Sequence, residues 1–155
     1  MEALVGLWTD LGRITGVALS TPVYAAVSAL HVVGLALLFG PIALVDLRIA
    51  GLLRSLDVSA LTLMRATARI GTALAVVTGV LLAGARPDEY LANPTFLAKL
   101  VVVGIGLANA LAFEVAARRA GIAALLDQPL ARASAFASLA LWLAAIGLGR
   151  WIAFT

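Results

Sequence analysis

Four long apolar segments, separated by short polar stretches, constrain the fold of this sequence more than any other feature. Each is long enough for the roughly 20 residues that an α-helix needs to cross the hydrocarbon core of a bilayer. The 155-residue chain is 63% hydrophobic and 12% charged, whereas a soluble domain is roughly 45–50% apolar and 25% charged. The sequence therefore predicts an all-α protein, an integral membrane four-helix bundle whose main partner is the lipid bilayer.

Proline and asparagine indicate where the predicted helices begin. Pro22 and Pro94 suit the first turn of a helix, where a missing N–H is tolerated, and Asn93 is a favourable N-cap residue. Together with hydrophobicity, these positions place transmembrane helices at about 22–48, 62–85, 94–118 and 132–154. The expected organisation is a single membrane domain over residues 1–155.

The segment before the first span is amphipathic. Apolar residues recur at helical spacing on one side, at Leu4, Leu7, Trp8, Leu11, Ile14 and Ala18. The other side carries Glu2, Gly6, Asp10 and Arg13. Such a pattern is typical of a helix that lies flat in the membrane interface. Residues 2–18 are therefore predicted to form an N-terminal interfacial helix.

The distribution of arginine predicts the orientation of the bundle. Six arginines lie near the loops that join the first span to the second and the third to the fourth, at Arg48, Arg54, Arg65, Arg118, Arg119 and Arg132. The opposite side has only Arg13 and Arg86 outside the spans. By the positive-inside rule, we expect a multi-pass protein whose six-arginine side is cytoplasmic and whose termini both face outward, into the periplasm if the cell is Gram-negative. The basic residues are scattered and form no basic, aromatic-interleaved face, so nucleic acid is not an expected partner.

Ionisable residues inside the predicted spans are the first candidates for function, because a charge in hydrocarbon is costly unless it has a partner. His31 lies about nine residues into the first span from the outer side, or roughly 13 Å deep. Lys99 and Arg150 each lie about five residues inside their spans from the same side. Three helices thus contribute a histidine, a lysine and an arginine to the outer half. The alternatives are a hydrogen-bonded structural imidazole and a lysine that extends to the headgroups.

A histidine that faces the bundle interior, with cations nearby, suits haem b. Imidazole binds haem iron, and cations pair with the propionates. Gly34, one turn after His31, leaves a gap in which a flat ring can pack. We assign His31 as axial metal ligand, Lys99 as second metal ligand or propionate partner, and Arg150 as propionate partner. With one histidine and no cysteine, a multi-histidine or thiolate metal centre within one chain is excluded.

A second set of polar residues falls in the inner half of the predicted bundle: Asp46, Arg69, Asn109 and Glu114. Arg69 is expected near Asp46 and Glu114, in a structural ion pair that locks the bundle. A path for protons is the alternative interpretation. The small residues of the third span indicate close helix packing rather than a wide aqueous pore.

Three stretches carry a resemblance to a known family: HVVGLALLFGPIALVDLRIAGL, NPTFLAKLVVVGIGLANALAFE and the closing GRWIAF. Over nearly the whole chain they resemble small bacterial four-span proteins known only as a domain of unknown function, which implies the fold but no activity. More distantly, a histidine in an early span and F-x-x-K-L opening a later one resemble the HemJ-type protoporphyrinogen oxidases and the CopD copper-resistance membrane proteins. In the HemJ type, a histidine and a lysine at such places serve haem b, which implies that role for His31 and Lys99.

The leading functional hypothesis is therefore a haem b-binding membrane protein. If it is an enzyme, the resemblance implies oxidation of a porphyrinogen or a quinol. One alternative is a small transporter or accessory subunit that handles copper or protons, with His31 and Lys99 acting in the outer half and Asp46 and Glu114 in the inner half. Another is a structural subunit of a larger membrane complex. The small-residue faces suit packing within one chain or a homo-oligomer.

Overall fold

The computed structural model describes residues 2–154, with side chains described from residue 5 onward. Met1 and Thr155, which belong to the predicted domain, lie outside the described residues. The chain forms six α-helices: α1 (Glu2–Ile14), α2 (Thr21–Ile49), α3 (Val58–Ala83), α4 (Pro87–Ala92), α5 (Pro94–Ala120) and α6 (Pro129–Trp151). Short 3₁₀ turns follow α5 at Ala123–Leu125 and α6 at Ile152–Phe154. No strand occurs between residues 2 and 154.

Helices α2, α3, α5 and α6, the last extended by its 3₁₀ turn, are long and apolar enough to cross a membrane. This confirms the predicted all-α, four-span fold class. At 1.5 Å per residue, the 29 residues of α2 span roughly 43 Å, more than the ~30 Å hydrocarbon core. The two ends of the bundle differ. Connections α2–α3 and α5–α6 lie at what we call the arginine-rich end, whereas α1, α4 and the final 3₁₀ turn lie at the termini end.

Helices α2 and α3 form the most extensive contact in the bundle, because glycines let their backbones touch. A Cβ added to Gly34 would lie 2.7 Å from the backbone nitrogen of Ala75, and one added to Gly71 would overlap the backbone of Leu38. In lipid, such close approach supplies the van der Waals contact that holds helices together. Helix α6 packs on both α5 and α2, whereas α3 and α5 make few close backbone approaches within the described residues.

Two apolar clusters fill the interior. The larger lies at the arginine-rich end and contains Val45, Ile49, Leu61, Ala117, Ile122, Leu125, Ala131 and Ala135. The smaller lies nearer the middle of the bundle and consists of Leu38, Trp142 and Ala145. Both clusters draw on α2 and α6, which are therefore the central pair.

The termini end is closed by α1 and α4. Helix α1 stops at Ile14 rather than continuing to residue 18, because Gly16 takes a φ of 74° in the left-handed region, which glycine adopts readily. A Cβ on Gly12 would overlap the carbonyl oxygen of Gly84, so α1 rests directly on the end of α3. Leu7 and Ile14 remain exposed, and a membrane interface would cover this apolar surface.

Candidate functional site

His31 lies on the face of α2 that packs against α3. Its Nδ1 is 2.9 Å from Oγ1 of Thr78. A Cβ on Gly79 would lie 3.2 Å from Cε1 of the imidazole. The absence of a side chain at Gly79 therefore makes room for the ring, and Thr78 fixes one of its edges against α3.

The hydrogen bonds of Thr78 determine which imidazole nitrogen carries the proton. Its hydroxyl lies 2.6 Å from the carbonyl oxygen of Leu74, to which it donates. A hydroxyl has only one proton to donate, so Thr78 accepts from His31. Nδ1 of the neutral imidazole is then the N–H nitrogen, and Nε2 keeps its lone pair. A lone pair on Nε2, with Nδ1–H hydrogen-bonded, is the arrangement found in histidines that bind a metal or accept a proton.

Lys99 reaches the same part of the bundle from α5. Its ammonium charge lies close enough to act on the His31 imidazole. A Cβ added to Gly149 of α6 would come within 3.2 Å of the lysine Nζ, so the lysine stem runs across the glycine. The two side chains thus lie in the same half of the bundle, with His31 on the face of α2 that meets α3 and Lys99 between α5 and α6.

Arg150 follows Gly149 in the chain, but its side chain packs against Phe154. The guanidinium carbon is 5.0 Å from the centroid of the Phe154 ring, and the residue is exposed. The structure does not show Arg150 in contact with His31 or Lys99.

An open cavity of about 1060 Å³ lies at the termini end, between the α1–α2 turn, the start of α2, α4 and the end of α6. We call it the termini-end cavity. Tyr24 and Tyr90 line it and are joined through their hydroxyl groups. Burial is the main cause that raises the pKa of Tyr90, so this phenol stays neutral and able to donate at physiological pH. Gly149 also lines the cavity, and Lys99 lies against that glycine.

At the arginine-rich end, Glu114 of α5 is shared by three arginines. Its carboxylate oxygens lie 2.6 Å from Arg65, 2.8 Å from Arg69 and 3.3 Å from Arg118. The predicted ion pair between Arg69 and Glu114 is therefore present, but two further guanidinium groups join it. Asp46 is not part of this cluster.

Asp46 and Asn109 each pair with a serine of α6. Asp46 is only 5% exposed and hydrogen-bonds with Ser138, while its Oδ2 has no hydrogen-bond partner among the described residues. The Ser134 hydroxyl donates to Oδ1 of Asn109 at 2.9 Å, and Nδ2 of Asn109 donates to the backbone carbonyl of Ser134 at 3.2 Å. The four residues predicted as one polar cluster thus occupy three separate places.

The chemistry available near His31 is that of one imidazole nitrogen and one amine. No group of three or more His, Cys, Asp or Glu side chains that could hold a metal ion occurs in the part of the chain that the structure describes. Haem does not need such a group, because the porphyrin supplies four ligands and the protein only one or two axial ones. His31 and Lys99 can supply at most two such ligands. The space beside Gly34, which was expected to hold a flat ring, is filled by the backbone of α3, since a Cβ on Gly34 would lie 2.7 Å from the nitrogen of Ala75.

Several partners of these residues were not identified from the sequence. Thr78, Ser134 and Ser138 are hydroxyl residues within apolar spans, where a hydroxyl needs a hydrogen-bond partner in the bundle. Gly79 and Gly149 make room for the two candidate site residues. The one available signal for Thr78 is its place in the row Gly71, Ala75 and Thr78, whose small residues mark the face of α3 that meets another helix.

Comparison with known proteins identifies a family but no activity. A model of a family of unknown function, DUF6644, matches residues 9–155. No curated protein and no solved structure matches the chain.

Proposed function

Because the chain belongs to DUF6644, a family of unknown function, we propose its function from the site itself: it is a haem b-binding integral membrane protein, with His31 as the axial ligand. The observation that carries this proposal is the orientation of the imidazole. The hydroxyl of Thr78 holds Nδ1–H at 2.9 Å, so that Nε2 is the nitrogen free to bind iron. A hydrogen bond to the non-ligating nitrogen orients the ring and raises its basicity toward a metal.

Lys99 supplies the second group of the proposed site. Its ammonium would balance the negative charge of haem propionates, or its neutral amine would serve as a second iron ligand. The resemblance of this histidine–lysine pair to the HemJ type supports the same assignment. When bound, haem would supply one-electron transfer. Arg150, directed toward Phe154, is given no part in this site.

The termini-end cavity supports a route by which a small molecule reaches this site. Its volume of about 1060 Å³ is slightly larger than the roughly 300–1000 Å³ typical of ligand pockets. Tyr24 and Tyr90 offer phenolic hydroxyls there, and Lys99 lies behind Gly149. A porphyrinogen or a quinol, the two substrates implied by the HemJ resemblance, would enter by this cavity.

An optical spectrum tests the proposal. Protein made in haem-replete cells and purified in mild detergent should show a Soret band that is lost in His31→Ala. Arg150→Ala is the matched control, because it removes a cation from the same end of the bundle and should leave the band unchanged. A colourless wild-type protein that also fails to bind added haemin would refute the proposal.

A second candidate function, proton transfer through the bundle, is favoured by the environment of Asp46. Its buried Oδ2 lacks a partner among the described residues. An unpaired carboxyl oxygen at that depth costs free energy, and carboxyl groups inside a membrane often belong to proton relays. Liposomes containing the protein and a pH-sensitive dye would test this. A proton flux that persists in Asp46→Asn would refute it.

The membrane placement belongs to the same proposal. Positive-inside bias supports an orientation in which the arginine-rich end is cytoplasmic and the termini face outward. The resemblance to small bacterial four-span proteins supports placement in a bacterial inner membrane. Reporter fusions at both termini and in the α2–α3 connection would test this orientation. Assembly as a homo-oligomer or with a larger membrane complex remains a prediction.

A further inference from the structure

We propose that the seam between α3 and α5 is a binding site for an anionic phospholipid, whose phosphate is held by Arg69 and Arg118. The site is distinct from the one at His31 and does not depend on haem binding. It lies at the arginine-rich end, since Glu114 is six residues, or roughly 9 Å, from the end of α5.

The charge within the seam is not balanced. Three guanidinium groups, from Arg65, Arg69 and Arg118, surround the single carboxylate of Glu114. Three positive charges and one negative charge leave a net charge of +2. Asp46, the other carboxylate within the spanning helices, is committed to Ser138. A bound anion would complete the charge balance.

The arginines differ in accessibility. The Arg65 side chain is 12% exposed and Glu114 18%, so this pair is internal. Arg69 and Arg118 are 54% and 71% exposed. Arg69 donates to Glu114 through Nη1, and Arg118 donates to Glu114 through Nε. Because a guanidinium has five N–H donors in a planar fork that matches phosphate, both side chains keep donors that Glu114 does not use.

Apolar surface continues from this charged cluster toward the middle of the bundle. The backbones of α3 and α5 are not closely packed in the described residues, and the ion-pair side chains bridge them. Val76, two turns beyond Arg69 on α3, is 45% exposed, and Leu111, one turn before Glu114 on α5, is 65% exposed. A phospholipid can contact the charged cluster and the apolar surface at once, with its phosphate on the arginines and an acyl chain along the seam. Basic sites between transmembrane helices recognise anionic lipid headgroups in this way.

Titration with defined lipids tests the assignment. Protein in a neutral detergent would be titrated with dioleoyl phosphatidylglycerol, and bound lipid would be counted by native mass spectrometry. Dioleoyl phosphatidylcholine tests the requirement for net negative charge, and inorganic phosphate tests the headgroup without acyl chains. Phosphatidylglycerol should bind most tightly of the three and should raise the melting temperature.

The variant R69Q/R118Q should bind phosphatidylglycerol about 25-fold more weakly, because each arginine near a lipid surface adds ~1 kcal/mol and 1.4 kcal/mol is a factor of ten. R54Q/R119Q is the matched control: it removes the same charge from the same end, outside the cluster, and should bind as the wild type does. R69K/R118K keeps the charge but not the planar fork, so it should recover only part of the affinity. If R69Q/R118Q does not fold, the single variant R118Q should still weaken binding about fivefold.

Three results would overturn the proposal. One is equal phosphatidylglycerol affinity in the wild type and the glutamine variants of Arg69 and Arg118. Another is an equal loss in R54Q/R119Q, which would indicate general surface attraction. The third is tight binding of inorganic phosphate or phosphatidylcholine, which would indicate a free-anion site or a charge-independent lipid contact. A failed haem spectrum has no bearing on any of these results.

Discussion

One hydroxyl determines which nitrogen of His31 is available for chemistry. Thr78 donates to the carbonyl of Leu74 at 2.6 Å and receives a hydrogen bond from Nδ1 of the imidazole at 2.9 Å. Because Thr78 belongs to α3 and His31 to α2, the orientation of the ring depends on a residue of another helix. A histidine held in this way is prepared for a ligand at Nε2, whatever that ligand is.

Replacing Thr78 with valine should therefore destabilise the bundle. Valine has nearly the shape of threonine but cannot accept the bond, so a buried N–H would lose its partner at a cost of about 1–3 kcal/mol. Thermal unfolding in detergent would measure the loss. Thr72→Val is the matched control, since Thr72 bonds only the carbonyl of Ala68 within its own helix. Equal losses in the two variants would show that the imidazole contact contributes nothing to stability.

The sequence identifies some site residues much better than others. His31, Lys99 and Glu114 stand out because ionisable side chains are rare in apolar spans. Threonine and serine are common there, so Ser138 does not stand out, and Thr78 is marked only by its place in the small-residue row with Gly71 and Ala75. Their partners depend on how each helix is rotated about its axis, which one sequence does not determine.

At the level of helices, glycine decides how close two spans come. Gly34 and Gly71 place the backbones of α2 and α3 in direct contact, and the same contact brings His31 to Thr78. Gly40 lies on the same helix as Gly34 but faces open space, since a Cβ added there would have nothing within 4 Å. Helix α2 thus contains one glycine that is required for close packing and one that is not.

Gly34→Ala should lower the free energy of unfolding by about 1–3 kcal/mol, the usual cost of overpacking. The added methyl would come within 2.7 Å of the Ala75 nitrogen, so α2 and α3 would have to separate. Gly40→Ala should be neutral or slightly stabilising, because alanine favours a helix more than glycine does. Denaturation in detergent would compare the two. Equal free energies of unfolding for the Gly34→Ala and Gly40→Ala variants would contradict the close-contact interpretation.

Helix boundaries are predicted well where a residue has a defined backbone role. Pro94 with Asn93 places the start of α5 correctly, and Asn93 indeed accepts hydrogen bonds from the backbone N–H groups of Thr95 and Phe96. Helix α3 starts at Val58 rather than near residue 62, because a helix can continue past the end of its apolar segment. Hydrophobicity detects the lipid-facing part of a helix and not its polar extension.

At the scale of the whole molecule, the bundle consists of two helix pairs joined in two different ways. Pairs α2–α3 and α5–α6 meet through apolar packing between α2 and α6. On the other side, α3 and α5 are bridged mainly by Glu114 and its arginines. The sequence predicted an ion pair at this place, but it did not predict the number of arginines, because the rotation of α3 against α5 decides which of them reach Glu114.

Glu114→Gln should therefore destabilise the whole bundle. Loss of the carboxylate leaves Arg65, only 12% exposed, without its charge partner beside two other guanidinium groups. Breaking a buried ion pair by removing one partner costs about 3–5 kcal/mol, and the partial exposure of this cluster places the expected loss at the lower end. Glu89→Gln is the control, because it breaks an exposed pair with Arg86, which is worth less than about 1 kcal/mol. Thermal melting of both variants in the same detergent would measure the difference, and a Glu114 variant as stable as the Glu89 variant would mean that α3 and α5 do not rely on this bridge.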